Sequence, residues 1–512
     1  MMLFKKTWIV AIVVSLIYFQ LNTGYAQSAN RSYITVSEVE PLDSIVKKAA
    51  HVVPAPRQVM WQELELTCFY HFGINTFYNY EWGNKEQMAE MFNPTAFDAN
   101  QWAVAAKSAG ARMMLCLAKH HDGFCLWPTK YTDFSVKSSP WKNGKGDLID
   151  ELSKAARTHG LKFGIYLSPW DIHSPVYGTD EYNEVFRNQL RELLTGYGQI
   201  DEVWFDGACG EGPNGKRQVY DWEGFYKVIR ELQPQAVIAV MGPDVRWVGT
   251  ESGYGRTTEW SVVPASAAVL EDIALSSQQN PGNGAFMPVG NMMDEDLGSR
   301  DKLSKAEGMM WYPSEVDVSI RPGWFYHERE DSLVKSAEKL VDIYYSSVGR
   351  NSLLLLNLPA DRRGLIHEND LRSLRGMKVI LDATFRINLL EGGTCEGNVE
   401  VVRQLTDSNT MTYWSPGEGR TTGALTVEMP GKQTFDRVLL QENYQEGQRV
   451  EQFVIEAEVN GLWITITSGT TIGYKRLLRF EPVSAQRIRL RILSARDCPQ
   501  IGTFGLFKAP EG

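Results

Sequence analysis

The 512-residue chain is short of cysteine, of histidine and of unbroken apolar runs. Its six cysteines, at 68, 116, 125, 209, 395 and 498, are too thinly spread for the disulfide framework of a small secreted domain, and no C-x-x-C spacing offers a zinc site. Cys68, Cys116 and Cys209 lie in or beside apolar runs, where free thiols pack as small hydrophobes, whereas Cys395 and Cys498 are a candidate pair. No apolar run reaches the roughly 20 residues needed to cross a bilayer. The run from Trp8 to Phe19, broken only by Ser15, follows Lys5 and Lys6 and precedes the small-x-small group Gly24-Tyr25-Ala26. Residues 1–26 therefore read as a signal peptide, which predicts a periplasmic or secreted product with no stable membrane insertion after its removal. The absence of any cysteine before Cys68 excludes a lipoprotein lipobox.

Basic charge is also in deficit. Lys and Arg number 52 against 62 Asp and Glu, which argues against nucleic acid as a partner because phosphate binding rests on cationic side chains. Aromatic residues are plentiful instead: 15 Trp, 21 Tyr and 21 Phe, more than a core requires. Because an indole N–H needs a partner, Trp is seldom fully buried without one, and some of these rings are expected to line a site for a neutral ligand.

Short apolar runs alternate with helical patterns over some 300 residues. The strands are expected at Leu66 to Gly73, Met113 to His120, Lys162 to Pro169, Glu202 to Gly207, Val237 to Gly242 and Ser352 to Pro359, with Arg256 to Trp260 and Glu315 to Ile320 as the sixth and seventh. Between them, Asp98 to Ala109, Asp147 to His159, Glu181 to Tyr197, Trp222 to Leu232 and Ser332 to Val348 place apolar residues at three- and four-residue intervals. Continuous apolar strands separated by helices predict a parallel sheet covered on both faces. A doubly wound open sheet is the rival. The first strand lacks a glycine-rich dinucleotide loop, and reactive side chains recur at several strand ends, so an α/β, TIM-like (β/α)8 barrel is favoured over residues 27–379. From about Ile380 the period becomes two, as in Arg487-Ile488-Arg489-Leu490-Arg491-Ile492, predicting an antiparallel β-sandwich over 380–512. That segment carries 14 Lys and Arg against 16 Asp and Glu, so the acidity belongs mainly to the barrel.

The expected strand ends carry the chemistry. Val203-Trp204-Phe205-Asp206-Gly207 ends an apolar strand in a carboxylate, costly to bury without a partner or a purpose. Asp206 is the leading nucleophile; capping or pairing with Arg is its structural alternative. Other ends supply His71, His120, His121 and Tyr166. A metal held by these histidines with Asp206 or Asp122 competes with a sugar site, but adjacent strand residues point to opposite faces, so His120 and His121 do not chelate together from one strand. No catalytic metal is expected. The loop after the fifth strand offers Glu251 and Glu259 as candidate acids. Retaining glycoside hydrolysis needs two carboxyls about 5–5.5 Å apart. Asp206 with Glu251 is one such pair; Glu259 is the alternative acid/base, or else a support held by Arg246 or Arg256. Of the nearby rings Tyr80, Trp82, Trp127, Trp170, Trp204, Trp247, Trp260 and Trp324, about half are expected to pack rather than bind. Glu81-Trp82 and Trp324 lie in turn-like loops and are the favoured sugar contacts.

The strings YHFGINTF with EW at 81–82, LAKHHDGFCLW, FGIYLSPWD, VWFDG and RPGWFYH span nearly the whole barrel and resemble the retaining α-L-fucosidases of glycoside hydrolase family 29. The resemblance implies that Asp206 is the nucleophile, that His71, His120, His121, Tyr166, Glu81 and Trp82 surround the sugar with Trp204 close by, and that Trp324 packs against it. VWFDGACGEGPNG followed by GPDVRWVGTESGYGRTTEW is more similar to the subgroup that removes α-1,3/1,4-linked fucose from Lewis-type branches, whose acid/base matches Glu251. Fucosylated oligosaccharides or glycoconjugates are the implied partners, and catalysis needs no cofactor. LTDSNTMTYW and the later strands resemble a galactose-binding-like, discoidin-type domain, in which Asp407 is the candidate ligand of a structural calcium. That domain is expected to buttress the barrel rather than bind glycan. A catalytically silent glycan-binding protein and a retaining α-galactosidase are the competing functions.

Overall fold

The computed structural model describes residues 31–270 and 295–510. The expected signal peptide, residues 1–26, lies outside them. Behind a short strand β1 (Tyr33–Thr35) the apolar runs form β2 (Leu66–Tyr70), β3 (Met113–Lys119), β4 (Lys162–Leu167), β5 (Glu202–Phe205) and β6 (Val237–Val240). They are followed by β7 (Arg246–Trp247), β8 (Val262–Pro264), β9 (Gly308–Trp311), β10 (Ser314–Ser319) and β11 (Ser352–Asn357). Eight of these pair in parallel in the order β6-β5-β4-β3-β2-β11-β10-β7. A parallel bridge between Ala239 and Val245 brings β6 to the foot of β7, so the sheet is a nearly closed (β/α)8-like barrel. Its strands are apolar throughout because both faces are covered, by interior side chains and by outer helices.

The helices follow from their periodicity and caps. Asp98, Asp147 and Asp221 accept backbone N–H bonds at the starts of Ala99–Ala109, Leu148–Thr158 and Trp222–Leu232, as Ser336 does for Ala337–Ser346. Gly110 ends the first of these in the left-handed conformation (φ 87°). Among the described residues no helix is long and apolar enough to cross a membrane.

Two expectations are corrected. The sixth barrel strand is not Arg256 to Trp260 but Arg246–Trp247, entered from β6 by a tight turn without a helix. Val240, a β-branched residue at φ 62°, sits in that turn, and the Asp244 carboxylate accepts the Ile238 N–H across it. Residues 256–260 are not a barrel strand: Thr257 O accepts from Thr470 and Arg476 and Glu259 N donates to Thr471, all in the C-terminal domain, and among the described residues no barrel strand pairs with them. Cys395 and Cys498 do not pair; the Cys498 thiol donates to Gly417 O at 3.0 Å.

β1, β9 and β8 form a small antiparallel sheet beside the barrel. The helix Glu368–Thr384 spans the junction expected between 379 and 380 and leads to the C-terminal domain. There β12 (Gly423–Glu442), β13 (Val450–Val459), β14 (Leu462–Gly469), β15 (Arg476–Ala495) and β16 (Ile501–Phe507) pair antiparallel in the order β14-β13-β15-β12-β16. The N-terminal half of β12 pairs with the C-terminal half of β15 beside β13, and the other halves pair beside β16. Register shifts between Glu428 and Gln433 and between Phe435 and Arg437 separate the two stretches, so two long strands serve both layers of a β-sandwich.

The two domains share a buried polar seam. Gln448 Nε2 donates to Glu259 O (3.0 Å) while its Oε1 accepts from Ser261 N (2.7 Å), and Thr471 Oγ1 accepts from Glu259 N (3.0 Å). The Glu259 side chain turns inward to Arg246 and Arg256, all three buried. Arg496 reaches from the sandwich over the Trp260 ring, 3.3 Å from its centroid. Replacing Glu259 by Ala would strip both arginines of this carboxylate, and breaking a buried pair in this way costs about 3–5 kcal/mol. Glu259→Ala is expected to lower the calorimetric unfolding midpoint by several degrees; an unchanged midpoint would show that this buried ion triad contributes nothing to stability.

Candidate active site

Four consecutive barrel strands and three loops aim side chains into one small pocket at the C-terminal end of the barrel. His71 follows β2. The side-chain amide of Asn357, at the end of β11, donates to Ser319 Oγ and Trp324 O, which turns its carbonyl oxygen toward His71. That oxygen accepts from the His71 backbone N–H and lies 2.9 Å from Nδ1. The proton therefore sits on Nδ1, leaving Nε2 as an acceptor. Burial pushes the His71 pKa down to about 3, so the ring is neutral at working pH.

His120 and His121 lie just beyond β3, where the register shifts between Leu117 and Lys119 and strand alternation has ended. This corrects the expectation that adjacent histidines diverge: their rings are 4.1 Å apart and both line the pocket. Burial lowers both pKa values. His121 Nδ1 is 2.7 Å from the Ser168 hydroxyl, which itself donates to Trp170 O, and His121 Nε2 lies 3.8 Å from Asp206. Among the described residues no group of three or more His, Cys, Asp or Glu is arranged to hold a metal ion.

Asp206 stands immediately after β5. Its Oδ1 accepts from Ala208 N at 2.7 Å and its Oδ2 from the Tyr166 hydroxyl at 3.0 Å. These two donors fix the carboxylate while leaving it partly open to the pocket. The Tyr166 ring, at the end of β4, stacks on Trp204 with centroids 5.2 Å apart.

Opposite these groups, Glu251 lies on the loop after β7 and accepts from Trp324 Nε1 at 3.0 Å. Its pKa is pushed up to about 7, chiefly by burial and further by the charges of Asp206 and Glu81, against the lowering effect of the indole. Glu81 accepts from Trp324 N through Oε2 (2.9 Å) and meets His327 Nε2 through Oε1 (2.5 Å). Trp82, 53% exposed, closes the rim against His121 and Trp170. Phe69 and Asp317 complete the lining.

All the predicted site residues except Glu259 thus come together: Asp206, Glu251, His71, Glu81, Trp82, His120, His121, Tyr166, Trp204 and Trp324 share the pocket. Glu259 is held away by its two arginines. Of the other flagged rings, Trp127, Trp247 and Trp260 are buried in packing, and Tyr80 stacks on Tyr78 outside the pocket. Sequence reasoning missed Asn357, His327 and Asp317. A signal existed for two of them: Asn357 is the polar end of the run LLLLN, and Glu315 and Asp317 alternate on one face of SEVDVS. A roomier cleft nearby, of about 630 Å³, is lined by Asp331, Asp361, Arg363 and Glu368 among others, ions that largely pair with one another or with their neighbours.

Comparison with known proteins agrees with this geometry. Residues 55–383 match the alpha-L-fucosidase family model, and residues 393–503 match the F5/8 type C domain. Alpha-L-fucosidase 1 of Arabidopsis thaliana is 39% identical over 93% of this chain and 92% of its own. A solved Ruminococcus gnavus fucosidase in complex with fucose superposes with a TM-score of 0.77 at 30% identity, covering 94% of this chain and 98% of that one. A glycoside hydrolase 29 family member from a rumen bacterium gives a TM-score of 0.75 at 38% identity over 90% of this chain and 78% of its own.

The His71 arrangement makes a direct prediction. With its pKa near 3, the ring is expected to stay neutral and Nδ1-protonated from pH 8 to pH 5. Long-range ¹H–¹⁵N correlation spectra of imidazole-labelled protein should show one unchanging tautomer; an imidazolium signature at pH 5 would contradict the assignment.

Proposed function

From the premise that the chain belongs to the alpha-L-fucosidase family and is a glycosidase, we propose that it is an exo-acting retaining enzyme that removes α-1,3/1,4-linked L-fucose from Lewis-type branches. The observation that carries the mechanism is the unequal treatment of two carboxyl groups in one pocket. Asp206 is held by two donors and faces the pocket as an acceptor. Glu251 is desolvated and kept protonated near neutrality. Asp206 attacks the anomeric carbon as the glycosidic C–O bond breaks, and Glu251 transfers its proton to the leaving oxygen. Glu251, now ionised, then takes a proton from water. That water oxygen bonds to the anomeric carbon, the bond to Asp206 breaks, and the sugar leaves with its original anomeric configuration.

The remaining residues bind and orient. The neutral rings of His71, His120 and His121 offer hydrogen bonds to hydroxyl groups without a competing charge, and Trp324 and Trp82 offer apolar faces to the sugar. The pocket is small and ends on the packed barrel interior, which suits one terminal residue and hence exo action. The linkage preference is supported by the sequence around Asp206 and Glu251 described above. The proposed reaction draws on no cofactor, and the leader over residues 1–26 supports export to the periplasm or the medium, where fucosylated glycans would be met.

Incubation with a Lewis-type oligosaccharide is expected to release free L-fucose, seen first as the α-anomer by ¹H NMR; intact glycan after prolonged incubation would refute the reading. Asp206→Ala should lower kcat by at least about 10³-fold with the fold retained. Glu251→Ala should recover activity with added azide on a substrate with a good leaving group, and wild-type kinetics in that variant would move the acid role elsewhere. Because the first step needs protonated Glu251, kcat/KM should fall as pH rises through about 7.

A further inference from the structure

Trp324 is placed by more than its ring. Its backbone N–H donates to Glu81 Oε2 (2.9 Å) and its carbonyl accepts from Asn357 Nδ2 (2.9 Å). The indole leans on His71, with centroids 5.1 Å apart, and on the edge of Phe69 at 6.3 Å. These anchors come from three different parts of the barrel and leave the ring one orientation, with Nε1 directed at Glu251 Oε2. We propose that Trp324 is a positioning residue for the acid/base: its indole N–H occupies Oε2 of Glu251 and so confines the transferable proton to Oε1. This rests on the fucosidase reading above.

The argument is one of donor and acceptor inventory. An indole N–H can only donate, so the carboxyl oxygen it meets must accept. In the protonated acid the carbonyl oxygen is the stronger acceptor, so the indole favours the hydroxyl on the other oxygen. Without the indole the two oxygens are interchangeable, and about half of the protonated population would present the wrong one. After proton transfer the same N–H stabilises the carboxylate, and Oε1 is again the free oxygen that takes the proton from water. The groups facing Glu251 from elsewhere are Asp206 at the end of β5, Glu81 from the loop after the helix Ile74–Tyr78, and Asp317 on β10. All three are acids, so Trp324 alone in this set favours the ionised form that the second step requires.

Trp324→Phe keeps an aromatic face and removes the N–H. β-(3-Benzothienyl)alanine at the same position keeps the bicyclic shape and also lacks the donor, which covers a packing failure in the phenylalanine variant. In both, kcat/KM is expected to fall about 10-fold more for a fucoside with a poor leaving group than for one with a good leaving group, because only the former depends on proton delivery. The alkaline limb of the pH profile should move up by about one unit, the loss of one hydrogen bond to a charged group. A rise in KM with leaving-group dependence and pH limb unchanged would overturn the proposal and leave Trp324 a packing surface. Wild-type protein inactive on every fucoside tested would instead remove the functional reading beneath it.

Discussion

A carboxyl group inside a barrel costs several kcal/mol unless a donor meets it, and for five carboxyls of this barrel the donor is an indole. Trp61 donates to Glu202, Trp204 to Glu315, Trp247 to Asp317, Trp324 to Glu251 and, on the outer side, Trp127 to Glu192. Glu202 and Glu315 are buried against each other, each with one oxygen taken by its tryptophan, and burial raises both pKa values so that the pair retains a proton. Asp317 is raised as well, first by burial and then by Glu251. The interior thus holds a column of acids without matching cations. An indole is well suited to it, because it satisfies an acceptor while adding no charge that would drive ionisation.

This pairing also accounts for the tryptophan surplus, which the sequence shows but does not explain. Rings read as a sugar platform divide into those that face the pocket and those that serve carboxyl groups, and Trp204 and Trp324 do both. Much of the site was legible. Asp206, His71, His120, His121 and Tyr166 each stand at or just past the end of a recognisable apolar run, where barrel geometry makes strand ends converge. Glu251 and Glu259 were not separable by pattern, since the difference lies in which acid meets arginines and which meets an indole, a matter of tertiary contacts. His327 acts through another side chain and carries no periodic signal of its own.

The barrel itself was legible where strand and helix alternate and illegible where they do not. β7 is two residues long and is reached from β6 without a helix, so neither hydrophobic period nor length announces it. Its hydrogen bonds go to β10, and Arg246, buried at its start, is neutralised by Glu259 from a segment that has no regular structure. On this side the covering role of a missing helix is taken by the small β1-β9-β8 sheet and the sandwich. The C-terminal domain meets the barrel on this side, through Gln448, Thr471 and Arg496.

The seam between the domains has a consequence for the order in which the chain can be made. Glu259 acquires its backbone partners from Gln448 and Thr471, 189 and 212 residues further along. Such distant closures are slow to form, although Asn351, within the barrel, also donates to Glu259 O. A nascent chain that has exposed every barrel strand can pair β7 with β10 but still lacks the seam's bonds to Glu259 from Gln448 and Thr471. The bonds of the seam therefore close last, after every strand of the catalytic half is already in the chain.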